Sequence, residues 1–188
     1  MMGRELIEIP RRYRKATVAK SDLQKKERAL LDDVIGARRS VLLTGRPGTG
    51  KTHLMACVFN ELDEDFGKVW IDANGYVSEH YTRKRLRTTD AMELQENWWR
   101  VALRPRLLCI DDLGAEEDSE QAQAIMTRVL MHRYNNEMWT IITTNLSGEQ
   151  LKDRYGERII SRIYEDYTVV VMRGKDRRRE RFGDVIEL

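Results

Sequence analysis

Five short runs of apolar, largely β-branched residues punctuate the chain: Val41–Thr44, Lys68–Asp72, Leu107–Asp111, Trp139–Thr143 and Thr168–Met172. Each is too short for a core helix and carries the residue types that fit a pleated, buried strand. Between them, apolar residues recur at helical spacing. Ala122, Ile125, Met126, Val129 and Leu130 form one such stripe, and Ala91, Leu94, Trp98 and Val101 another. The second stripe opens on Asp90 and Glu93, a capping-box pair, and stops before Pro105. Its geometry assigns Trp98 to the core rather than to a stacking platform. Ser147 with Gln150 forms a further cap, opening a helical segment that runs to Tyr164. Strands alternating with helices predict a parallel sheet covered on both faces.

Composition narrows the class without naming a chemistry. A chain of 188 residues holds one domain with a real core. Charged residues make up 34%, yet the net charge is only +2, so nucleic-acid binding would have to come from local patches. The two cysteines, Cys57 and Cys109, sit in apolar runs and read as small buried hydrophobes, with neither disulfide nor metal spacing. No signal peptide or membrane-length apolar run is evident, so a reduced, cytoplasmic setting without membrane contact is expected.

Chemistry enters at residues 45–52, Gly-Arg-Pro-Gly-Thr-Gly-Lys-Thr. This is a complete G-x-x-x-x-G-K-[ST] phosphate loop, placed between the first strand run and the helical pattern His53–Phe59. Gly45, Gly48 and Gly50 would let the loop, with Pro47 and Thr49 between them, curl its backbone N–H groups around a β-phosphate at a helix N-terminus, with His53 next in line. Lys51 would reach the β- and γ-phosphates, and the Thr52 hydroxyl would ligate Mg²⁺. The run Leu107–Asp111 ends in Asp111 and Asp112. In a nucleotide hydrolase, the first holds Mg²⁺ through water and the second orients or deprotonates the attacking water. The strand run at Lys68–Asp72 lies between loop and carboxylates, as in the additional-strand class of P-loop ATPases. Asn145 closes the next strand, either as an amide that holds the water against the γ-phosphate or as simple turn and cap.

These motifs occur in a fixed order: Gly-Arg-Pro-Gly-Thr-Gly-Lys-Thr, Leu-Leu-Cys-Ile-Asp-Asp-Leu-Gly, Thr-Thr-Asn-Leu-Ser and Tyr-Gly-Glu-Arg-Ile-Ile-Ser-Arg-Ile. Together they resemble the AAA+ ATPases of the DnaC/DnaI helicase-loader and IstB transposition-helper group. Ile9-Pro10-Arg11-Arg12-Tyr13-Arg14 resembles the segment that opens that family's ATPase core. The resemblance implies ATP and Mg²⁺ as cofactors, a three-layer α/β/α fold, and a five-stranded parallel sheet in the order 5-1-4-3-2. The chain departs from larger AAA+ proteins in leaving no room for a separate helical lid domain. The resemblance makes Asn145 sensor 1 and places an arginine finger in the last motif, at Arg162 with Arg158 as second choice. Residues 1–36 are then a segment leading into the core, shorter than the helicase-gripping region of family loaders, and 174–188 a basic tail.

Arg154, Arg158 and Arg162 recur every four residues, a single basic stripe on an unbroken helix, with Gly156 as a possible break. The segment from Tyr81 to Arg87, with Arg83, Lys84, Arg85 and Arg87, is either a solvated basic loop or a non-specific grip on DNA. Residues 175–181 are likewise either a solvated tail or a DNA or nucleotide contact. The reading is an ATP-binding, Mg²⁺-dependent ATPase acting on single- or double-stranded DNA as a homo-oligomeric ring or filament, with ATP bridging subunits. A replicative helicase or a transposase is the expected protein partner. An ATP switch with little turnover and a small-molecule kinase are the alternatives, and the loop alone does not choose ATP over GTP.

Overall fold

The computed structural model describes residues 9–19, 21, 25–85, 98–174 and 176. Five parallel strands, β1 (Val41–Thr44), β2 (Lys68–Asp72), β3 (Leu107–Asp111), β4 (Thr140–Thr144) and β5 (Thr168–Val171), form one sheet in the order β2-β3-β4-β1-β5. This is the expected 5-1-4-3-2 order. The last two strands differ from the sequence reading by one residue each. The central strands β3 and β4 are buried at every position, whereas the edge strand β5 is only partly covered. Both faces of the sheet are therefore packed, and alternation along each strand divides the core in two.

Val41, Leu43, Cys109 and Ile141 point to one face, where helices α1 (Lys25–Gly36) and α2 (Lys51–Glu61) cover them. Leu42, Leu108, Ile110 and Ile142 point to the other. That face is covered by α3 (Ala73–Arg85), α4 (residues 98–103), α5 (Glu120–Asn135), α6 (Gly148–Tyr155) and α7 (Glu157–Asp166). Trp98 is buried, as its spacing predicts. It stacks on Tyr76 at 5.1 Å between ring centroids, and its indole N–H donates to the Tyr76 carbonyl at 3.2 Å. The expected cap at Asp90 and Glu93 lies outside the described residues. Cys57 and Cys109 are free and buried, as expected. Among the described residues no helix is long and apolar enough to cross a membrane.

Two departures from the sequence reading bear on the site. The segment after Ser147 is two helices, because Gly156 adopts φ 86° and ψ 149°, a conformation reserved for glycine. The capping box of Ser147 and Gln150 is present at the start of the first. The segment beginning at Tyr81 is helical through Arg85 rather than a loop. Arg87 lies outside the described residues, as do the side chains of Arg83, Lys84 and Arg85.

One buried cation organises the opposite end of the sheet. Arg133 is 0% exposed on α5. Its guanidinium donates to Thr140 Oγ1 at 2.7 Å and to the carbonyls of Ala102, Pro105 and Trp139 at 3.0, 3.1 and 2.6 Å. Burial pushes its pKa down to about 10. The clamp ties the end of α4 to the starts of β3 and β4 through neutral acceptors.

Candidate nucleotide site

The loop between β1 and α2 takes the shape its glycines allow. Gly45, Gly48 and Gly50 have φ of 146°, 80° and 97°, all in the positive region that side chains disfavour. A Cβ on Gly45 would strike the Met172 carbonyl, and one on Gly48 the Asp176 carboxylate. The start of the C-terminal segment therefore lies directly against the loop. Thr49 Oγ1 donates to the Arg46 carbonyl at 2.9 Å, closing the turn that contains Pro47. Helix α2 begins at Lys51, so its N-terminal partial positive charge faces the loop.

Lys51 is 4% exposed. Its ammonium donates to the carbonyls of Gly45 and Arg46 at 2.7 and 2.9 Å and to Asn145 Oδ1 at 2.8 Å. The Asn145 amide in turn donates to Asp112 Oδ1 at 3.3 Å. The loop lysine, the residue at the end of β4 and the carboxylate after β3 thus form one chain of contacts, bringing together three residues far apart in sequence. Asp112 has φ 53°, one of three non-glycine residues with positive φ among the described residues. That conformation costs about 1 kcal/mol or more and persists where surrounding bonds enforce it. Here the Asp112 N–H donates to Thr143 Oγ1 at 2.9 Å.

Asp111 ends β3 beside Thr52. Its Oδ1 accepts from the Thr52 hydroxyl at 3.0 Å and the Thr143 hydroxyl at 2.6 Å. Burial, opposed by the Thr143 bond and reinforced by the charge of Asp112, pushes the Asp111 carboxyl up to about 6. The sequence reading did not single out Thr143, which serves both aspartates at once. A β-branched residue carrying a hydroxyl at a buried strand end was the available signal. Asp72, paired with Asp111 in the sheet register, also has its pKa raised by burial.

These donors fit a magnesium nucleotide. No cluster of three or more His, Cys, Asp or Glu ligands occurs among the described residues. One hydroxyl and one carboxylate beside a phosphate-binding loop are the sparse protein ligand set that Mg²⁺ accepts when phosphates and water complete its shell.

The elevated Asp111 pKa has a measurable consequence for the metal-free protein. The folded state holds this proton more tightly than the unfolded chain, whose carboxyl has the ordinary value of 3.8. The resulting stability is full below about pH 4 and is lost as pH rises through about 6. Asp111→Asn removes the loss, since its amide oxygen accepts both threonine bonds without charge. At pH 8 without Mg²⁺ the variant should be more stable by on the order of 2–3 kcal/mol. Urea denaturation should show that advantage shrinking towards pH 4, and an advantage independent of pH would refute it.

The remaining expected residues fall in different places. The His53 imidazole turns away from the loop, with Nε2 2.7 Å from Ser21 Oγ and its ring edge-on to Tyr13. Its side chain anchors the leading segment against α2. Arg162 lies across α5, with Nη1 3.4 Å from Met131 Sδ and its guanidinium 5.4 Å from the centre of the Tyr134 ring. Arg158 is exposed on α7. Arg154 is cut off from both by Gly156 and is bound within the chain to the loop after β3. The three arginines are therefore not one stripe.

The family model for the AAA ATPase domain matches residues 22–143, and the chain belongs to that family of nucleotide-binding ATPase domains. It is 25% identical over 151 residues to the replicative helicase loader DnaC of Escherichia coli (strain K12), which covers 80% of this chain and 60% of DnaC. It is 30% identical over 121 residues to the replicative helicase loader DnaI of Bacillus subtilis (strain 168), covering 64% of this chain and 37% of DnaI. A crystal structure of the DnaC helicase loader superposes with a TM-score of 0.70 at 25% identity, over 87% of this chain and 100% of that one. The chain thus spans only part of the length of these curated relatives.

Proposed function

We propose that this chain is an ATP-hydrolysing, Mg²⁺-dependent motor or switch of DNA transactions, similar in role to a helicase loader. The observation that carries the reading is the contact chain Lys51–Asn145–Asp112 beside the Thr52–Asp111 pair. ATP with Mg²⁺ supplies the phosphoanhydride bond and a charge-neutralising cation. Lys51 and the loop amides hold the phosphates. Thr52 and Asp111 hold the cation, and Asn145 orients the attacking water for Asp112, which accepts its proton. Arg162 supplies charge to a neighbouring subunit's site, so ATP lies between protomers in a ring or filament. The 1–188 stretch acts as one ATPase unit, with 1–36 as its leading segment and 174–188 as its basic tail.

Arg83, Lys84, Arg85 and Arg87 are the proposed DNA contacts, on and beyond the end of α3. Similarity to DnaC and DnaI favours a replicative helicase over a transposase as protein partner. A second reading, a switch with little turnover, is favoured by the short Asp112 side chain, which sets its carboxylate farther from a bound phosphate than a glutamate would. Lys51→Ala removes the loop's buried side-chain cation and should weaken ATP binding by roughly 10²-fold, the scale of a lost charge-assisted contact. Calorimetry checks this, and equal affinity would overturn the nucleotide reading. Turnover that single-stranded DNA does not alter would overturn the DNA part.

A further inference from the structure

Of the three acidic residues Glu116, Glu117 and Asp118 in the loop between β3 and α5, only Glu116 is inside, at 3% exposure. Its Oε2 accepts the Gly114 N–H at 2.9 Å, folding the loop back on the residues that follow Asp112. Its Oε1 accepts Arg154 Nε at 3.3 Å and the Tyr155 hydroxyl. Arg154 adds bonds from Nη2 to the carbonyls of Glu116 and Glu117 at 2.6 and 3.0 Å, and from Nη1 to Asp118 Oδ1 at 3.0 Å. The last turn of α6 therefore grips the loop that carries Asp112.

The first turn of the same helix begins just after Asn145. Ser147 caps it, with its hydroxyl accepting from Gln150 N at 3.2 Å and its N–H donating to Gln150 Oε1 at 2.8 Å. The intervening Leu146 is fixed by its carbonyl, which accepts from Thr44 Oγ1 at 2.7 Å, and by its side chain, which lies so close to Gly114 that a Cβ there would collide with it. Helix α6 is thus a strut with Asn145 at one end and the Asp112 loop at the other.

We propose that Glu116, Arg154 and Tyr155 form a positioning latch that sets the separation of Asp112 and Asn145 while touching neither nucleotide nor metal. The proposal rests on the ATPase reading for its effect on turnover, and on geometry alone for its effect on the two loops. A misplacement of about 1 Å in a catalytic pair costs on the order of 10²-fold in rate. A latch that acts through position alone lowers turnover and spares affinity, because Thr52 and the loop amides belong to the β1–α2 turn, and Lys51, though bonded to Asn145, keeps its bonds to the Gly45 and Arg46 carbonyls.

The test uses the full chain with Glu116→Ala, Glu116→Gln and Tyr155→Phe. Turnover, ATP affinity by calorimetry and amide hydrogen exchange are measured for each. Glu116→Ala should lower turnover by about tenfold or more, with affinity within about twofold of the unaltered chain. Exchange should quicken both at 112–118 and at 145–147. Glu116→Gln, which keeps an acceptor for Arg154 and Tyr155 but turns its NH2 towards the Gly114 N–H, should recover part of the rate. Tyr155→Phe removes one hydroxyl and should fold even if Glu116→Ala does not. It should quicken exchange in the same two segments. Faster exchange at 112–118 alone, or a parallel fall in affinity and turnover, would overturn the latch. If the unaltered chain hydrolyses no ATP, the ATPase reading fails, while the exchange pattern still decides the latch.

Discussion

Mixing Arg162→Ala protein with Lys51→Ala protein should restore ATP turnover that neither variant shows alone. An isolated subunit holds the phosphate loop, Thr52, Asp111, Asp112 and Asn145, but its own Arg162 lies on α7 against Met131 and Tyr134. Those are neutral partners, so they fix the guanidinium without cancelling its charge. Delivered by a neighbour, as proposed, that charge would stabilise the transferring phosphoryl group, an effect on the order of 10³–10⁵ in rate for arginine fingers. Specific activity should therefore rise with protein concentration, or with a DNA scaffold that aligns subunits. Arg162→Ala should abolish the rise while leaving ATP affinity within about twofold, since the finger acts on the transition state. In the mixture, interfaces that join an intact loop to an intact arginine are active. Mixed oligomers without activity would make Arg162 a surface residue, and Arg158 would be the next candidate.

Asp112→Asn should bind ATP as the unaltered chain does and hydrolyse it about 10²–10⁴-fold more slowly, the range a general base contributes. The substitution keeps the shape and the acceptor that the Asn145 amide uses at 3.3 Å. It also keeps the backbone bond to Thr143, and asparagine tolerates the positive φ at this position. What is lost is the negative charge and, with it, proton acceptance. Filter binding of ATP alongside a phosphate-release assay separates the two effects. Undiminished hydrolysis would show that Asp112 does not activate the water.

The sheet was legible because its signal is local. Val41–Thr44, Lys68–Asp72 and Leu107–Asp111 matched the sequence reading residue for residue, since a short apolar stretch such as the wholly buried β3 stands out from its polar flanks. The phosphate loop was equally plain, because a fixed spacing of glycine, lysine and threonine has few other uses. The polar partners were hidden. Glu116, Glu117 and Asp118 are chemically alike in sequence, and only the arrival of Arg154 and Tyr155 on α6 selects which one goes inside. Arg154 seemed to belong with Arg158 and Arg162 until Gly156 broke the helical register. Arg133 continues an apolar stripe at the right spacing, yet its acceptors are carbonyls contributed by other segments. Nothing in a linear pattern announces them.

The Arg133 clamp gives the molecule two electrostatically unlike ends. At the loop end, Asp72, Asp111, Asp112 and Glu116 gather at the tips of β2 and β3 and beyond, and burial holds the carboxyls of Asp72 and Asp111 above the ordinary carboxylate range. At the other end a guanidinium is satisfied by a hydroxyl and three carbonyls, none of which titrates. Acid removes no partner from it, and its burial shields it from salt. The sheet thus has a chemically indifferent foundation beneath a responsive rim. Changes of charge that accompany a reaction cycle can rearrange the rim while the strand starts keep their register.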